Sequence, residues 1–383
     1  MYASPAMPGE RSLRDVLRNA LQYGDLSFRD FMELALYHPE LGYYATSSAR
    51  VGKGGDYVTS PSLSPVFAYA LGRLVGEFLS RTGDEVSTVV DIGCGDGGLI
   101  RSLARGFGAA SGGVRSVPRV RFVGVDRSLE RVTSDSDGHA EFFTTLDTVP
   151  PGDAQLILSN ELFDAIPFAR LVQRGEHLHE LWVHESGEGL DWSEHEAPVA
   201  YDDYFAERGI ALEDGQFADV SLEWEAYYAD IARWATNALI VTFDYGYPGE
   251  QLFRSRVRRF GTAAAYGQQR VTRDLLANAG EQDLTAHINF TDLQRAGERA
   301  GFSTLFFERQ AKFLLALGIT EHELFKPVLD EQVSSAEEGL ARLEARDEAR
   351  RLILPDGIGH DVRVLVQGKG VGEGAWSFQH PLW

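Results

Sequence analysis

One short stretch of this sequence constrains the fold more than any other, because a strand pattern changes to a helix pattern across a few glycines. Residues 86–92 form a β-branched run, Gly93, Gly95 and Gly97 follow, and residues 98–105 have helical spacing. Glycines at such a turn let the backbone approach a ligand closely, beside the N–H groups that begin the next helix. We predict a ligand-binding loop, although a glycine-rich turn alone is also compatible with a simple tight turn.

The spacing of these glycines separates two kinds of nucleotide loop. They occupy every second position, whereas a dinucleotide-binding fingerprint reads G-x-G-x-x-G. Gly98 partly blurs the distinction. The pattern therefore disfavours a dinucleotide-dependent oxidoreductase without excluding it.

An acidic residue follows the second predicted strand. Residues 120–125 form this strand, and Asp126 comes directly after it. A carboxylate at this position can accept hydrogen bonds from both ribose hydroxyls of an adenosyl group. The alternative is that Asp126 caps a helix beginning at Ser128.

Strand and helix patterns continue to alternate along the chain. Further strands are predicted at residues 141–145, 154–159, 168–173, 180–184, 238–244, 305–309 and 362–366. Such alternation is typical of a mostly parallel sheet covered by helices on both faces. The predicted fold class is α/β, Rossmann-like, with an N-terminal helical extension and inserted substrate-side segments.

The remaining patterns divide the chain into three consecutive parts. Residues 1–85 are predicted to form an N-terminal helical extension and connector, with helices at residues 14–23, after Ser27 and at residues 66–81. Residues 86–319 are the predicted core, and residues 320–383 a C-terminal helical segment with a final strand. Within the core, residues 106–118 are predicted to be a loop. The acidic residues 185–222 are predicted to be an insertion or lid rather than core.

The composition excludes several classes of protein. The chain has 383 residues and a formal net charge of −21, which would repel nucleic-acid phosphates. No apolar stretch approaches the roughly 20 residues that cross a bilayer, and the N-terminus has no visible signal peptide. A single cysteine, Cys94, excludes an internal disulfide and a cysteine-cluster zinc site. We expect a cytoplasmic protein with no metal, no membrane insertion and no nucleic-acid partner.

Polar residues also end the strand at residues 154–159. The sequence there continues as SNELFDAIP over residues 159–167. Ligands of open α/β sheets bind at the carboxyl edge of the strands, so these side chains should face the same ligand as the glycine loop. Three features thus converge on a site for an adenosyl cofactor.

With these motifs in place, the chain resembles the MidA-type methyltransferases over nearly its whole length. The shared segments are SFRDFM at residues 27–32, YHPELGYY at 37–44, GDYVTSP at 55–61, the glycine loop, NELFDAIP at 160–167, FDYG at 243–246, DLTAHINF at 283–290, FLLALG at 313–318 and VLVQGKG at 364–370. The loop departs from the family's usual E-L-G-P-G, because it reads D-I-G-C-G at residues 91–95. The family's T-A-P-E also appears as T-S-P-S at residues 59–62, and the missing glutamate weakens transfer of the substrate by analogy.

The resemblance implies a fold, a cofactor and a reaction. It implies a class I S-adenosylmethionine (SAM)-dependent methyltransferase fold, with SAM as cofactor. Mitochondrial members of this family are respiratory complex I assembly factors that methylate a protein arginine. The implied partner is therefore a protein substrate such as a complex I subunit. A non-catalytic SAM-binding assembly chaperone and a small-molecule methyltransferase remain as alternatives.

The predicted cofactor site combines the loop, the residues Asp126 and Asn160 that follow or end two strands, and the connector before the first strand. Its residues are Asp91, Gly93, Cys94, Gly95, Gly97, Asp126, Asn160, Asp56 and Thr59. Asp56 and Thr59 belong to a segment that resembles one folding over the cofactor in related enzymes. Both are also ordinary turn residues.

The predicted catalytic residues are Glu161, Asp164 and His287. An arginine acceptor is a cation that approaches a sulfonium, so carboxylates are needed to bind the guanidinium and offset the repulsion. Glu161 suits this role, although an acid at a helix start is also favoured by the helix dipole. Asp164 could face the same cleft or cap the next turn. His287 could accept the released proton or be purely structural.

Overall fold

The computed structural model describes residues 12–46, 65–83, 86–110, 120–128, 139–187, 189–254, 256–267, 270–326, 336–371 and 374–379. Two compact units alternate along the chain. The antiparallel-sheet unit consists of Met1–Tyr57, Phe163–Tyr227 and Tyr245–Leu293, and the parallel-sheet unit of Val58–Leu162, Tyr228–Asp244 and Gln294–Trp383. Each unit is assembled from separate segments, whereas the sequence analysis divides the chain consecutively at residues 85 and 319.

The described elements are numbered in chain order. The strands are β1 (Leu26–Ser27), β2 (Ser87–Ile92), β3 (Val120–Val125), β4 (Glu141–Phe143), β5 (Ala154–Asn160), β6 (Ala169–Arg174), β7 (His177–Ser186), β8 (Gly189–Glu196), β9 (Phe217–Val220), β10 (Ala238–Tyr247), β11 (Ala264–Gly267), β12 (Arg270–Thr272), β13 (Asp283–Thr285), β14 (Ile288–Asn289), β15 (Ser303–Arg309) and β16 (Val362–Lys369). The helices are α1 (Leu13–Leu21), α2 (Phe28–Tyr37), α3 (Pro65–Thr82), α4 (Gly98–Ala110), α5 (Val199–Glu207), α6 (Glu223–Trp234), α7 (Gly249–Phe253), α8 (Phe290–Arg299), α9 (Gln310–Ala316), α10 (Ala336–Arg351) and α11 (Ile358–Asp361).

The sheet of the parallel-sheet unit has the order β15-β16-β10-β5-β2-β3-β4. The pairs from β10 to β4 are parallel, and β15 pairs antiparallel with β16. This confirms the predicted mostly parallel sheet. Numbered by their appearance along the chain, the seven strands follow the order 3-2-1-4-5-7-6. The dinucleotide-binding fold has the order 3-2-1-4-5-6, so the inserted last strand separates this sheet from that fold.

Continuous burial explains why the strands of this sheet were recognisable in the sequence. Every residue of β2 is buried, and β5 is buried as far as Ser159. Strands covered on both faces must be apolar throughout, which gives uninterrupted β-branched runs. On one flank of the sheet, the Phe243 ring centroid lies 5.3 Å from that of Phe67 in α3 and 5.6 Å from that of Phe313 in α9.

The antiparallel-sheet unit contains a second, five-stranded sheet. Its order is β1-β7-β6-β9, with β8 paired to β7, and all its pairs are antiparallel. The predicted strands at residues 168–173 and 180–184 are real, but they belong here and not to the parallel sheet. They form a hairpin because Gly175, with a φ of 58°, permits a tight turn between them.

Helices α1 and α2 pack within the same unit. As predicted, Ser27 caps α2, since its hydroxyl accepts a hydrogen bond from the Asp30 amide at 3.1 Å. The apolar face of α2 lies in a core with Phe168 of the loop before β6 and Val183 of β7. The two predicted N-terminal helices are therefore confirmed as part of this core.

The acidic segment, residues 185–222, was predicted to be an insertion or lid rather than core. Its described residues form regular elements that contribute to a core of this unit, and a role as an insertion or lid stays a prediction. These elements are β8, α5 and β9. Tyr201, Tyr204 and Phe205 of α5 are buried in a second apolar cluster of this unit. Their spacing of three and four residues places them on one helix face, while acidic neighbours obscure the pattern.

One other element is longer than predicted. The residues expected to begin a loop at residue 106 continue α4 to Ala110, while residues 111–119 lie outside the described part of the chain. In the described residues, no helix is both long and apolar enough to cross a membrane.

Tight packing at Gly124 of β3 gives a prediction for the stability of the parallel-sheet unit. A Cβ at Gly124 would lie 2.6 Å from the Phe142 ring and 2.8 Å from the Cys94 sulfur. We expect Gly124→Ala to lower the free energy of unfolding by about 1–3 kcal/mol, measured by urea denaturation, because the site is overpacked. Gly106→Ala in α4 is the matched control, since its Cβ meets no atom within 4 Å. It should be neutral or gain up to about 1 kcal/mol from better helix propensity. Equal unfolding midpoints for the two variants would contradict this account.

Candidate active site

The glycine loop after β2 is held by its own hydrogen bonds. Gly93, Gly95 and Gly97 have φ values of 73°, 56° and 78°, which residues with a side chain rarely adopt. The amides of Gly93 and Cys94 donate to the Val125 carbonyl at 2.8 and 3.2 Å, and the Gly97 amide donates to the Cys94 carbonyl at 2.9 Å. These amides serve the loop itself, so the loop is not a cradle of N–H groups for a pyrophosphate.

The three glycines differ in the space around them. A Cβ at Gly93 would lie 2.9 Å from the Leu162 side chain, and one at Gly97 would lie 2.6 Å from the Phe142 ring. Among the described residues, a Cβ at Gly95 would meet no atom within 4 Å. Gly93 and Gly97 are thus required by packing, whereas Gly95 leaves open space where a ligand can approach the backbone.

Asp126 joins the loop to the end of β3. One of its carboxylate oxygens accepts a hydrogen bond from the Gly95 amide, and the other accepts one from the Ser128 amide, each at 2.9 Å. The contact with Ser128 is compatible with the alternative role as a helix cap, but residues 129–138, where such a helix would continue, lie outside the described part of the chain. A carboxylate offers about four acceptor positions, so this contact is compatible with additional hydrogen bonds to ribose hydroxyls.

Burial and neighbouring negative charges raise the pKa values of Asp91 and Cys94. Burial, followed by the charges of Asp126 and Asp96, raises the pKa of Asp91 to about 8. Burial and the same carboxylates raise the pKa of the Cys94 thiol, so Cys94 stays protonated and is a poor nucleophile. A cationic ligand would relieve the repulsion among the three carboxylates, which therefore suit a positively charged cofactor.

The end of β5 carries an unusual backbone conformation. Glu161 has a φ of 52°, and its amide donates to the Phe243 carbonyl of β10 at 2.9 Å. The Asn160 side-chain amide donates to a carboxylate oxygen of Glu161 at 3.1 Å. The Asn160 Oδ1 atom is buried and, within the described part of the chain, accepts no hydrogen bond. A non-glycine residue in this region costs about 1–3 kcal/mol, and such strain is concentrated at functional sites.

Two predicted catalytic residues lie in the antiparallel-sheet unit. The Ala286 amide donates to the backbone carbonyl of the buried Asp164 at 3.0 Å, which brings the segment before His287 beside Asp164. The His287 ring centroid lies 6.4 Å from that of Tyr245 and 5.5 Å from that of Tyr247. Glu161, the third catalytic candidate, belongs to the parallel-sheet unit. Asp56 and Thr59 lie outside the described residues.

Two tyrosines near Asp164 were not singled out by the sequence analysis. The Tyr37 hydroxyl donates to the Ala165 carbonyl at 2.9 Å, and the Tyr44 hydroxyl donates to the Asp283 carboxylate at 2.7 Å. Both come from the YHPELGYY segment, which was quoted only for its resemblance. The sequence feature that could have identified them is a tyrosine at each end of a glycine-containing turn.

A buried polar network fixes the chain just after His287. The Asn289 side-chain amide donates to the Tyr204 hydroxyl at 3.0 Å, and that hydroxyl donates to Asp292 at 2.8 Å. The Arg208 guanidinium also donates to Asp292, at 2.7 Å. Helix α5, from the acidic segment, therefore anchors the short strand β14. Across the described residues, no group of three or more His, Cys, Asp or Glu side chains could hold a metal ion.

Comparisons with known proteins show which family the chain is similar to. A family model described as an S-adenosyl-L-methionine-dependent methyltransferase matches residues 70–307. The chain is 25% identical over 352 residues to the mitochondrial protein arginine methyltransferase NDUFAF7 of Mus musculus, covering 83% of this chain and 78% of that protein. It is 26% identical over 318 residues to the protein of the same name from Danio rerio, with coverages of 75% and 72%.

A solved structure is similar across the full length. A protein from Burkholderia thailandensis, crystallised with bound S-adenosyl-homocysteine, superimposes with a TM-score of 0.81 at 25% identity, covering 98% of this chain and 97% of that one. The match of the family model to more than half of the sequence carries the assignment. The chain belongs to the MidA-type family of SAM-dependent methyltransferases, and SAM is its cofactor.

Proposed function

We propose that this protein transfers the methyl group of SAM to a guanidinium nitrogen of an arginine in a partner protein. The observation that carries the proposal is Glu161, a carboxylate retained in a backbone conformation that favours glycine and oriented by Asn160. The names of the mouse and zebrafish relatives support the same acceptor. As the resemblance implies, a respiratory complex I subunit is the first partner to test.

The residues of the parallel-sheet unit fit the cofactor. Gly95 leaves room for it at the backbone, and Asp126 lies beside Gly95 to accept hydrogen bonds from ribose. Asn160 offers a buried oxygen that needs a donor, and Asp91 can lose its proton and become negatively charged when a cation binds. When bound, the cofactor supplies an electrophilic methyl group on a sulfonium.

The carboxylates have a specific task with an arginine acceptor. The guanidinium keeps its charge at any physiological pH because its pKa exceeds about 12. Glu161 binds the fork of this group and draws its positive charge away from the attacking nitrogen. Asn160 holds one carboxylate oxygen of Glu161, which fixes the direction of that bond. Preorganised charge of this kind costs no reorganisation during the reaction.

Proton balance assigns a role to the antiparallel-sheet unit. The nitrogen that gains a methyl group loses one proton, so an acceptor for the proton is required. We assign this role to His287, because an imidazole nitrogen can accept a proton. Its ring is held beside Tyr245 and Tyr247. Asp164 is the second carboxylate assigned to the acceptor.

Gly95 allows a test of cofactor binding with a closely matched control. Gly95 and Gly175 have φ values of 56° and 58°, and a Cβ at either position meets no atom within 4 Å. Gly95→Val and Gly175→Val should therefore have similar effects on the melting temperature. We expect only Gly95→Val to abolish SAM binding in isothermal titration calorimetry, because its side chain fills the approach to the loop. Wild-type SAM affinity in Gly95→Val would remove the loop from the cofactor site.

The raised pKa of Asp91 makes both stability and cofactor binding depend on pH. In the folded protein this pKa is about 8, against an ordinary value of 3.8. Between these pH values the folded state holds a proton that the unfolded state has lost, so stability falls as pH rises through this window and levels off above it. A bound cation favours the ionised carboxylate, so SAM binding at pH 7 should release this proton.

Calorimetry in buffers of different ionisation enthalpy measures the proton release. Asp91→Asn should release fewer protons than the wild type on binding SAM, and its melting temperature should depend less on pH between about 5 and 8. The comparison cancels any proton lost by SAM itself. Identical proton release by the two proteins would show that Asp91 does not sense the cofactor's charge.

Glu161→Gln tests the reaction itself. The substitution keeps the size and the backbone demand of Glu161 but removes its charge. We expect SAM affinity to stay within a fewfold and methyl transfer to fall by at least about a hundredfold, as for the loss of a preorganised charge in an active site. Glu176→Gln, at an exposed turn, is the control and should change neither property.

The acceptor is identified by mass spectrometry. Complex I subunits from cells with and without the protein are compared for methylarginine, and the purified enzyme is then incubated with labelled SAM and the candidate subunit. Label on arginine that disappears with Glu161→Gln supports the proposal. Label on another residue type, or on a small molecule, refutes the arginine acceptor. SAM binding without any methyl incorporation would indicate an assembly chaperone.

A further inference from the structure

One part of the antiparallel-sheet unit has a charge opposite to that of the whole chain. The protein has 57 acidic and 36 basic residues, and its net charge is −21. Residues 251–273 nevertheless contain six arginines and no aspartate or glutamate. A long acid-free stretch in so acidic a chain concentrates positive charge in one place.

Part of this stretch exposes apolar side chains among its arginines. We define the arginine segment as Arg254 together with residues 256–260, which include a 3₁₀ turn at Arg256–Arg258. Val257 is 85% exposed and Phe260 is 61% exposed. Arginine and aromatic residues are enriched at protein–protein interfaces, where the other charged types are depleted.

Backbone carbonyls hold two of these arginines in fixed positions. The Arg258 guanidinium donates to the Gln251 carbonyl at 2.6 Å, and that of Arg259 donates to the Asp214 carbonyl at 2.6 Å. Within the described part of the chain, neither forms an ion pair with a carboxylate, whereas Arg254 pairs with Glu250 at 2.7 Å. A neutral carbonyl fixes the side chain without cancelling its charge. The segment therefore presents preorganised positive charge, which lowers the entropic cost of binding an anion.

The arginine segment is continuous with the residues assigned to the methyl acceptor. The Arg258 guanidinium carbon lies 3.9 Å from the centroid of the Tyr247 ring. The Tyr247 ring is in turn 5.5 Å from the His287 ring. One aromatic side chain thus links the arginine segment to the proposed proton acceptor within the same unit.

We propose that the arginine segment is a docking surface for the protein substrate, and that it binds an acidic stretch carrying apolar side chains. This inference rests on the proposed function, because it takes the substrate to be a protein. Charge complementarity selects acidic groups, and exposed Val257 and Phe260 select apolar anchors between them. A nucleic acid would supply the negative charge but no aliphatic anchor, and it would be repelled by the rest of the chain.

Fluorescence anisotropy with defined probes tests the docking surface without methyl transfer. The probe is a short fluorescein-labelled peptide of glutamates with two leucines. A second peptide has serines in place of the leucines, and a third probe is an oligothymidylate of similar charge. We expect the wild-type protein to bind the first peptide best and to lose affinity as salt is raised.

Two double variants separate the roles of charge and apolar surface. Arg256→Glu/Arg259→Glu should weaken binding of the leucine-containing peptide at least about tenfold, as expected on reversing interface charges. Val257→Ser/Phe260→Ser should weaken it severalfold while changing no charge. Arg14→Glu/Arg105→Glu, at exposed positions of α1 and α4, gives the same change in net charge and should alter affinity less than about twofold. Melting temperatures confirm that each variant is folded, and the serine variant decides the result if charge reversal prevents folding.

Three outcomes would overturn the inference. They are no peptide binding by the wild type, equal binding by the wild type and both arginine-segment variants, and preferential binding of the oligothymidylate that charge reversal abolishes. Because the readout is binding without cofactor, failure of arginine methylation would leave the peptide result unchanged. Failure of peptide binding would likewise leave the mass-spectrometric test of methylation intact.

Discussion

The hydrogen bond from the Gly95 amide to the Asp126 carboxylate is the interaction on which the proposed cofactor site depends. It joins the loops that follow two adjacent parallel strands, β2 and β3, at the carboxyl edge of the sheet. The neighbouring amides of Gly93 and Cys94 bond to the last carbonyl of β3 and tighten the same junction. With its amides satisfied internally, the loop offers shape and negative charge to a ligand. Those are the properties that suit a cationic nucleoside cofactor, whereas a pyrophosphate requires a cluster of N–H donors.

The parallel-sheet unit therefore has a cluster of three acidic residues at its glycine loop, namely Asp91, Asp96 and Asp126. Burial, followed by the charges of Asp126 and Asp96, raises the pKa of Asp91, and a bound cation would favour its ionised form. The antiparallel-sheet unit contains the opposite arrangement, in which arginines are fixed by neutral carbonyls. The positive sulfonium of the cofactor would meet negative charge in the parallel-sheet unit. An acidic substrate segment would meet positive charge in the antiparallel-sheet unit.

The parallel sheet could be predicted from sequence because strands that are buried on both faces appear as continuous apolar runs. The glycine loop could be predicted because it directly follows one of these runs. The bounds of β3 were foreseen as residues 120–125, and those of β5 differ by one residue. The second sheet could not be assembled in the same way. A strand pattern reveals an extended segment but not its partner, and β1 pairs with β7 more than 150 residues away. The acidic segment concealed the buried tyrosines of α5 because acidic neighbours obscure their helical spacing.

In the candidate site, too, some features could be predicted from the sequence and others could not. The positions of Asp126 and the glycines at the ends of β3 and β2 were predictable from local chain geometry, whereas their roles toward the cofactor stay predictions. The backbone conformation of Glu161 was not predictable, since glutamate has no preference for positive φ and nothing in its neighbours signals that conformation. The roles of Asp164 and His287 stay predictions, although the Ala286 amide does bring their segments together.

The positive φ of Glu161 affects which residue types relatives of this protein can carry at the same position. A residue with positive φ is easier to accommodate as glycine or asparagine, so folding alone would favour drift toward those residues at this position. Under the proposed function, the demand for the carboxylate opposes that drift. A relative with glycine after the asparagine that ends this strand would be one in which the demand has lapsed. The residue at this one position would then distinguish relatives that keep the pocket but no longer need the carboxylate from relatives in which the carboxylate still acts.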